Sequence, residues 1–375
     1  MLVYGYHPSG HAAAAFSLSE AFRKSGFLVS SVEVSEGHHP GAGQAVARGY
    51  HFLLRSYPAL WGMLYGSDSS RAVLRGVRRA YLASGGARRL RSGVSREAPD
   101  VIVCPQAAVA AVFAEARRRG DLSVPVVSVL TDYGAHPFWA DPPADLIVVP
   151  SPAVVDELRR YGVPASRMTS IGIPIHPAFS VPPSRPEARR ALGLPSAAPV
   201  VLLSGGSRGY GDLAAAAAAL LAASPRAVLL VLCGMNDGLR RALSARREAG
   251  DRLRVFGPQP PALVASMLAA SDLHLGKPGG LTAAESLALS VPMVLTRPLP
   301  GQEDANARFL LGSGAAVAGG NPVAAARLCA ALLNDPARLS ALGASAGRAG
   351  VPDAASRIAA EIGGLLVERG RLAAV

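Results

Sequence analysis

Leu273-His274-Leu275-Gly276-Lys277-Pro278-Gly279-Gly280-Leu281-Thr282-Ala283-Ala284-Glu285 reads as an apolar strand, a Pro-Gly-Gly turn and the opening of a helix. That succession is the repeating unit of an α/β fold, in which a strand delivers the chain to a helix N-terminus. A helix N-terminus aims unpaired backbone N–H groups and the positive end of the helix dipole at one point, where an anion binds. Lys277 stands at the mouth of the turn. It is one of two lysines, with Lys24, and the rest of the 38 basic residues are arginine. A lysine in so arginine-rich a chain points to a compact point charge rather than a planar fork. The same residues admit a second reading. Thr282-x-x-Glu285 has the spacing of a capping box, which would satisfy the first helical N–H groups with no ligand.

Outward from this turn the strand–helix alternation repeats. Strands are expected at 2–6, 27–34, 100–104, 124–130, 145–149 and 169–173, and again at 199–204, 227–233, 253–256, 272–275 and 292–296. Between the two sets lie Pro174, Pro177, Pro182, Pro183, Pro186 and Pro195, a stretch that reads as extended, neither helix nor central strand. The expected fold is therefore α/β, with two Rossmann-like domains facing each other across a cleft. Their spans are 1–175 and 199–350, joined by a proline-rich linker at 176–198 and followed by a helix within 351–375 that packs back on the first domain. Each domain opens with a glycine turn after its first strand. The first is Pro8-Ser9-Gly10-His11 and the second Ser204-Gly205-Gly206-Ser207-Arg208-Gly209-Tyr210-Gly211. Neither is a Walker loop and neither matches GxGxxG strictly.

A chain of 375 residues, half of them hydrophobic, can bury two cores. Neither a signal peptide nor a membrane span is expected, because the longest apolar stretch, 213–223, is mostly alanine and too short. Cys104, Cys233 and Cys329 lack metal-ligand or CxxC spacing, and no HExxH occurs, so no metal site is expected. The net charge is +12, and residues 41–99 concentrate it. Arg48, Arg55, Arg71, Arg75, Arg78, Arg79, Arg88, Arg89, Arg91 and Arg96 face only Asp68 and Glu97 there. Nucleic acid and acidic lipid are the anionic partners that such a stretch fits.

Further motifs carry a resemblance. Lys277-Pro278-Gly279-Gly280-Leu281-Thr282-x-x-Glu285 followed by Pro300-Gly301-Gln302-Glu303-x-x-Asn306 resembles the monogalactosyldiacylglycerol synthases and the bacterial processive diacylglycerol glucosyltransferases. Gly10-His11-x-x-Ala14-Ala15, Thr131-Asp132-x-x-x-His136-x-x-Trp139, Gly172-Ile173-Pro174-Ile175 and Cys233-Gly234-x-Asn236 occur in the family's order, so the resemblance covers about residues 5–315. The transferase that makes lipid II shares the fold but lacks the Lys-Pro-Gly-Gly turn. Two departures stand out: the first loop lacks a glycine that the family usually has before Gly-His, and Arg208 occupies a more glycine-rich or acidic place.

The resemblance implies a GT-B glycosyltransferase that moves a hexose, with inversion, from UDP-galactose or UDP-glucose to diacylglycerol or a similar lipid. A soluble or polyprenyl-linked acceptor is the alternative. No tightly bound cofactor or metal is implied, because fixed donors and helix dipoles stabilise the leaving UDP. Gly205, Gly206, Gly279, Gly280, Leu281 and Thr282 would cradle the diphosphate, with Lys277 and Arg208 adding charge. Glu285 would accept from the ribose hydroxyls, Phe256 would lie beside uracil, and Asn236, Gln302 and Glu303 would complete the donor site. Inversion needs one base, for which His11 is the first candidate; Asp132 is the second, as base or as the group that orients His11. A histidine that merely caps its helix is the competing reading of His11.

On the acceptor side, aromatics including Trp61 and Tyr65 interleave with the arginines of 41–99, and His136 and Trp139 follow further on. Such a pattern fits a peripheral contact with the anionic inner face of the membrane, in a protein located in the cytoplasm. The competing reading is a pair of ordinary helices packed on the domain. Nucleic acid is not expected as a partner, since no recognition motif for it occurs and a non-catalytic basic protein gives Lys277, Glu285, Gln302 and Glu303 no task.

Overall fold

The computed structural model describes residues 1–5, 9–34, 76, 79, 83, 85–140 and 143–372. Two compact units divide the chain: Met1–His176 with Pro300–Gln302 and Asp353–Val375, and Pro177–Leu299 with Glu303–Pro352. Each unit is built on an all-parallel six-stranded sheet.

The first sheet runs β2-β1-β3-β4-β5-β6, from β1 (Leu2–Tyr4), β2 (Ser31–Glu33), β3 (Ile102–Cys104), β4 (Val126–Val129), β5 (Leu146–Val149) and β6 (Met168–Ser170). Helices α1 (Gly10–Lys24), α2 (Gly85–Glu97), α3 (Ala107–Arg118), α4 (Pro137–Ala140) and α5 (Pro152–Arg160) accompany it. The second unit carries α6 (Arg185–Ala191), α7 (Leu213–Ala223), α8 (Asp237–Ser244), α9 (Pro261–Ala270), α10 (Gly280–Ala288), α11 (Gln302–Gly312), α12 (Pro322–Leu333) and α13 (Pro336–Ala349). Its sheet runs β12-β11-β10-β7-β8-β9, from β7 (Val200–Ser204), β8 (Val228–Leu232), β9 (Leu253–Phe256), β10 (Leu273–Gly276), β11 (Met293–Thr296) and β12 (Ala316–Gly320). Helix α14 (Ala354–Glu368) returns to the first unit and packs on α1. Among the described residues no helix is long and apolar enough to cross a membrane.

The strands lack polar–apolar alternation because helices cover both faces of each sheet. Val-Val-Leu-Leu-Ser of β7 is buried at every position. In the second core the alanines of α7 let it lie close against α12, over Leu203, Val231, Leu275 and Val294. In the first core Phe113, Ile147, Val154 and Leu158 fill the space between α3, β5 and α5.

Strand order reverses once in each sheet, between β1 and β3 and between β7 and β10. A doubly wound sheet opens a crevice at the carboxyl ends of such a pair. The opposite ends are locked alike by an aspartate. Asp145 Oδ2 accepts the Val126 N–H at 2.9 Å and pairs with Arg117. Its Oδ1 pairs with Arg369 just past α14, which fastens that helix to the sheet. In the second sheet Asp272 Oδ2 accepts the Val200 N–H at 2.8 Å and pairs with Arg189, while Oδ1 pairs with Arg185.

One expectation from the sequence fails here, and one strand goes unforeseen. Residues 185–191 form helix α6, not extended chain. Pro186 falls in its first turn, where a missing N–H costs nothing, and Ser184 and Glu187 complete a capping box. Edge strand β12 was not anticipated, because Ala316-Val317-Ala318-Gly319-Gly320 carries two glycines and little apolar bulk.

Candidate functional site

In the second unit, β10 ends at Gly276 beside the switch point, and α10 begins at Gly280 with Gly279 as its N-cap. No side chain caps this helix. Thr282 is the third helical residue rather than the cap, so the capping-box reading of Thr282 and Glu285 fails. The first N–H groups of a helix have no intrahelical partner, and here they belong to Gly280, Leu281 and Thr282. Gly279 is a correction: its N–H donates to the Lys277 carbonyl at 2.9 Å, closing the turn, so it is not a free donor. Asn306, fully buried on α11, donates through Nδ2 to the Pro278 carbonyl at 3.0 Å and fixes the turn from below.

The glycine loop after β7 lies beside this turn. Gly206 adopts the left-handed φ of 71°, and a Cβ there would sit 3.2 Å from Lys277 Cε. The lysine stem therefore lies across the face of Gly206. Lys277 Nζ makes a short ion pair with Glu303 Oε1, and Glu303 Oε2 accepts the Leu299 N–H at 2.9 Å. The Glu303 side chain is only 5% exposed, so its carboxylate is held dry between a cation and an amide. The sequence placed Lys277 and Glu303 in the donor site as separate groups; the structure joins them.

Glu285 lies on the second turn of α10, half-buried, where desolvation pushes its carboxyl up to about 8. Asn236 caps α8, its Oδ1 accepting the Leu239 N–H at 2.9 Å and its Nδ2 donating to the Gly209 carbonyl at 3.4 Å. It thereby binds the β8 turn to the loop that carries Gly205, Gly206 and Arg208. Arg208 is half-buried in that loop, and Phe256 is half-buried at the end of β9. Gln302 opens α11, one residue before Glu303.

In the first unit, Ser9 caps α1 through its hydroxyl, which accepts the Ala12 N–H at 3.2 Å. His11 is therefore in the first turn and is not itself the cap. Its Nδ1 lies 2.9 Å from the Pro105 carbonyl, just past β3, and 3.1 Å from Thr131 Oγ1, just past β4. A carbonyl only accepts, so Nδ1 carries the proton and the lone pair is left on Nε2. Desolvation lowers the His11 pKa, opposed by the bond to the Pro105 carbonyl. The α1 dipole also disfavours the imidazolium. Asp132 follows Thr131, half-buried, and Glu157 on α5 accepts the Ala135 N–H at 2.7 Å to hold this loop. Pro105 carries no motif of its own, and its place after β3 is its only signal in the sequence; Thr131 opens the Thr131-Asp132 motif, but nothing in that motif announced its approach to His11.

Trp139 is a correction. It is buried in the first core with Phe113 and Ala140 rather than presented to a lipid or membrane. His136 is also buried, and desolvation lowers its pKa to about 4, so it is a neutral interior histidine. Trp61 and Tyr65, with most of the arginine-rich stretch 41–99, lie outside the described residues.

Comparison with known proteins agrees with both halves. Residues 11–175 match the family described as monogalactosyldiacylglycerol (MGDG) synthase, and residues 184–348 match glycosyl transferases group 1. A processive diacylglycerol beta-glucosyltransferase of Bacillus cereus is 27% identical over 327 residues, which is 84% of this chain and 81% of the relative. The enzyme of the same name from Bacillus cytotoxicus is 28% identical over the same shares. In fold, the chain is similar to MurG of Acinetobacter baumannii, with a TM-score of 0.63 at 17% identity, covering 97% of this chain and 99% of that one. It is also similar to Staphylococcus aureus MnaA solved with UDP, with a TM-score of 0.65 at 13% identity, covering 100% and 98%. With two parallel sheets, a glycine-built turn at the reversal of the second and a family match in each half, the chain carries a monogalactosyldiacylglycerol-synthase domain and a group 1 glycosyl transferase domain on the two-domain α/β fold of the GT-B glycosyltransferases.

Proposed function

We propose that this protein transfers a hexose from UDP-glucose or UDP-galactose to the hydroxyl of diacylglycerol, with inversion at the anomeric carbon. The single observation that carries the reading is the His11 ring. Its Nδ1–H is committed to the Pro105 carbonyl, which leaves a neutral Nε2 as the acceptor of one proton. In the proposed step the acceptor hydroxyl gives its proton to Nε2 while its oxygen bonds to the anomeric carbon. The bond from that carbon to the phosphate oxygen breaks, and its electron pair leaves with UDP. Inversion suits relatives named beta-glucosyltransferases, since UDP-glucose carries an α-linked sugar.

The second unit supplies the donor side of this proposal. The N–H groups of Gly280, Leu281 and Thr282, the α10 dipole and Lys277 meet the developing charge on the diphosphate. Glu285, protonated or hydrogen-bonded at its half-buried position, fits the ribose hydroxyls. We assign the acceptor to the first unit and, through the basic stretch 41–99, a peripheral contact with anionic lipid. His11→Ala is expected to abolish transfer from UDP-glucose to diacylglycerol while UDP binding survives, and near-normal turnover would sink the assignment. Flotation with vesicles tests the surface: equal binding to neutral and anionic lipid would refute it.

A further inference from the structure

We propose that His274 is a positioning residue for the diphosphate site, tying the loop after β7, the turn after β10 and helix α10 together through Ser204 and Ser286. The proposal rests on the donor-site reading of the Lys277 turn and concerns what holds that site in shape.

His274 is an interior residue of β10, flanked by Leu273 and Leu275 and paired in register with Leu202 of β7 and Met293 of β11. It is 1% exposed. Its Nε2 lies 2.8 Å from Ser204 Oγ, and its Nδ1 lies 2.7 Å from Ser286 Oγ. Ser204 is the last residue of β7, immediately before Gly205 and Gly206. Ser286 is on α10, one residue past Glu285, and is fully buried. His274 itself stands three positions before Lys277. The buried chain Ser204–His274–Ser286 thus ends at the roots of the segments that present the anion-binding groups.

A packing role alone does not require a histidine. An apolar side chain would fill the position without desolvating two ring nitrogens, whereas the imidazole recovers that loss only if both are hydrogen-bonded. A neutral ring donates through one nitrogen and accepts through the other, and either serine hydroxyl can take either part. Burial lowers the His274 pKa to about 4, so the ring is neutral at pH 7. These two bonds are directional, and they fix α10 and the Ser204 end of β7 against one strand. Gly276 allows the approach: a Cβ there would meet the Ser204 carbonyl at 2.6 Å and His274 Nε2 at 3.3 Å. Donors aimed at a diphosphate lose effectiveness when displaced by about 1 Å.

The test uses the full chain, with UDP as the probe in titration calorimetry and amide hydrogen exchange followed in parallel. His274→Phe keeps a ring and removes both bonds. It is expected to weaken UDP binding about tenfold and to speed exchange in both 205–211 and 277–282. His274→Gln, whose amide reaches toward Ser204, should regain part of the affinity. Ser204→Ala and Ser286→Ala should each cost about threefold, and neither should add to His274→Phe. Unchanged UDP affinity in His274→Phe, with Lys277→Ala impaired, overturns the positioning role and leaves the donor site standing. Failure of the wild-type chain to bind UDP overturns both. Should His274→Phe not fold, the double variant Ser204→Ala/Ser286→Ala decides, and wild-type affinity there overturns the proposal.

Discussion

Helices α1 and α10 both begin at the carboxyl end of a strand that flanks its sheet's reversal point, yet their N-termini are dressed for opposite tasks. At α1 a serine cap uses one N–H, and the first turn carries a half-buried imidazole whose proton is tied to a carbonyl. The helix dipole there disfavours the imidazolium of the proposed base. At α10 the N-cap is Gly279, no side chain caps the helix, and the Lys277 stem lies across the face of Gly206 beside it. The same dipole is left open to an anion. On the proposed reading a shared backbone yields a proton acceptor in one unit and an anion cradle in the other, and the side chains of the first turn make the difference.

The sharpest way to break that contrast is at the base. His11→Ala should lower turnover by about 10³-fold or more with UDP affinity unchanged. A parallel loss of UDP affinity would show that the two helix ends are not separate in function. At the other end, Lys277→Ala should weaken UDP binding and also destabilise the fold by about 3 kcal/mol, because it strands the dry Glu303 carboxylate. Adding Glu303→Gln should restore most of the stability, read by denaturant unfolding, but not the UDP affinity. Recovery of both would make the pair a purely structural feature.

Two further effects depend on pH. Glu285 has a folded-state pKa raised to about 8 against an ordinary 4.5, so its contribution to stability is fullest below pH 4.5 and is lost as pH rises toward 8. Glu285→Gln should remove that slope from the stability profile of the free protein. His274 runs the other way. Its folded-state pKa near 4 lies below the ordinary 6.5, so stability falls as pH drops from 6.5 toward 4, and His274→Phe should flatten that decline. The smallest effect is at the cap of α1: Ser9→Ala should cost about 1 kcal/mol, measured by thermal unfolding, with UDP binding untouched.

Much of this was legible in the sequence where chemistry and chain geometry coincide. The Lys277 turn, the Gly205-Gly206 loop and His11 each follow an apolar strand, and the strand order places them at the two reversal points. What escaped were relations across the fold. Nothing in the spacing of Lys277 and Glu303 announces an ion pair between residues 26 apart. The bond that sets the His11 tautomer comes from the backbone of Pro105, and a backbone carbonyl has no sequence signature. Trp139 was misread because an aromatic near a motif looks the same on paper whether it faces lipid or core. A histidine inside an apolar strand was the visible sign of the Ser204–His274–Ser286 chain, but its partners lie on other elements.

The most direct measurement is product analysis after incubating the protein with radiolabelled UDP-glucose or UDP-galactose and diacylglycerol in anionic vesicles. The expected result is a labelled hexosyl-diacylglycerol formed together with UDP, of β configuration, and absent with His11→Ala. Labelled lipid formed equally well by His11→Ala, or no transfer from either donor by a protein that binds UDP, would contradict the assignment.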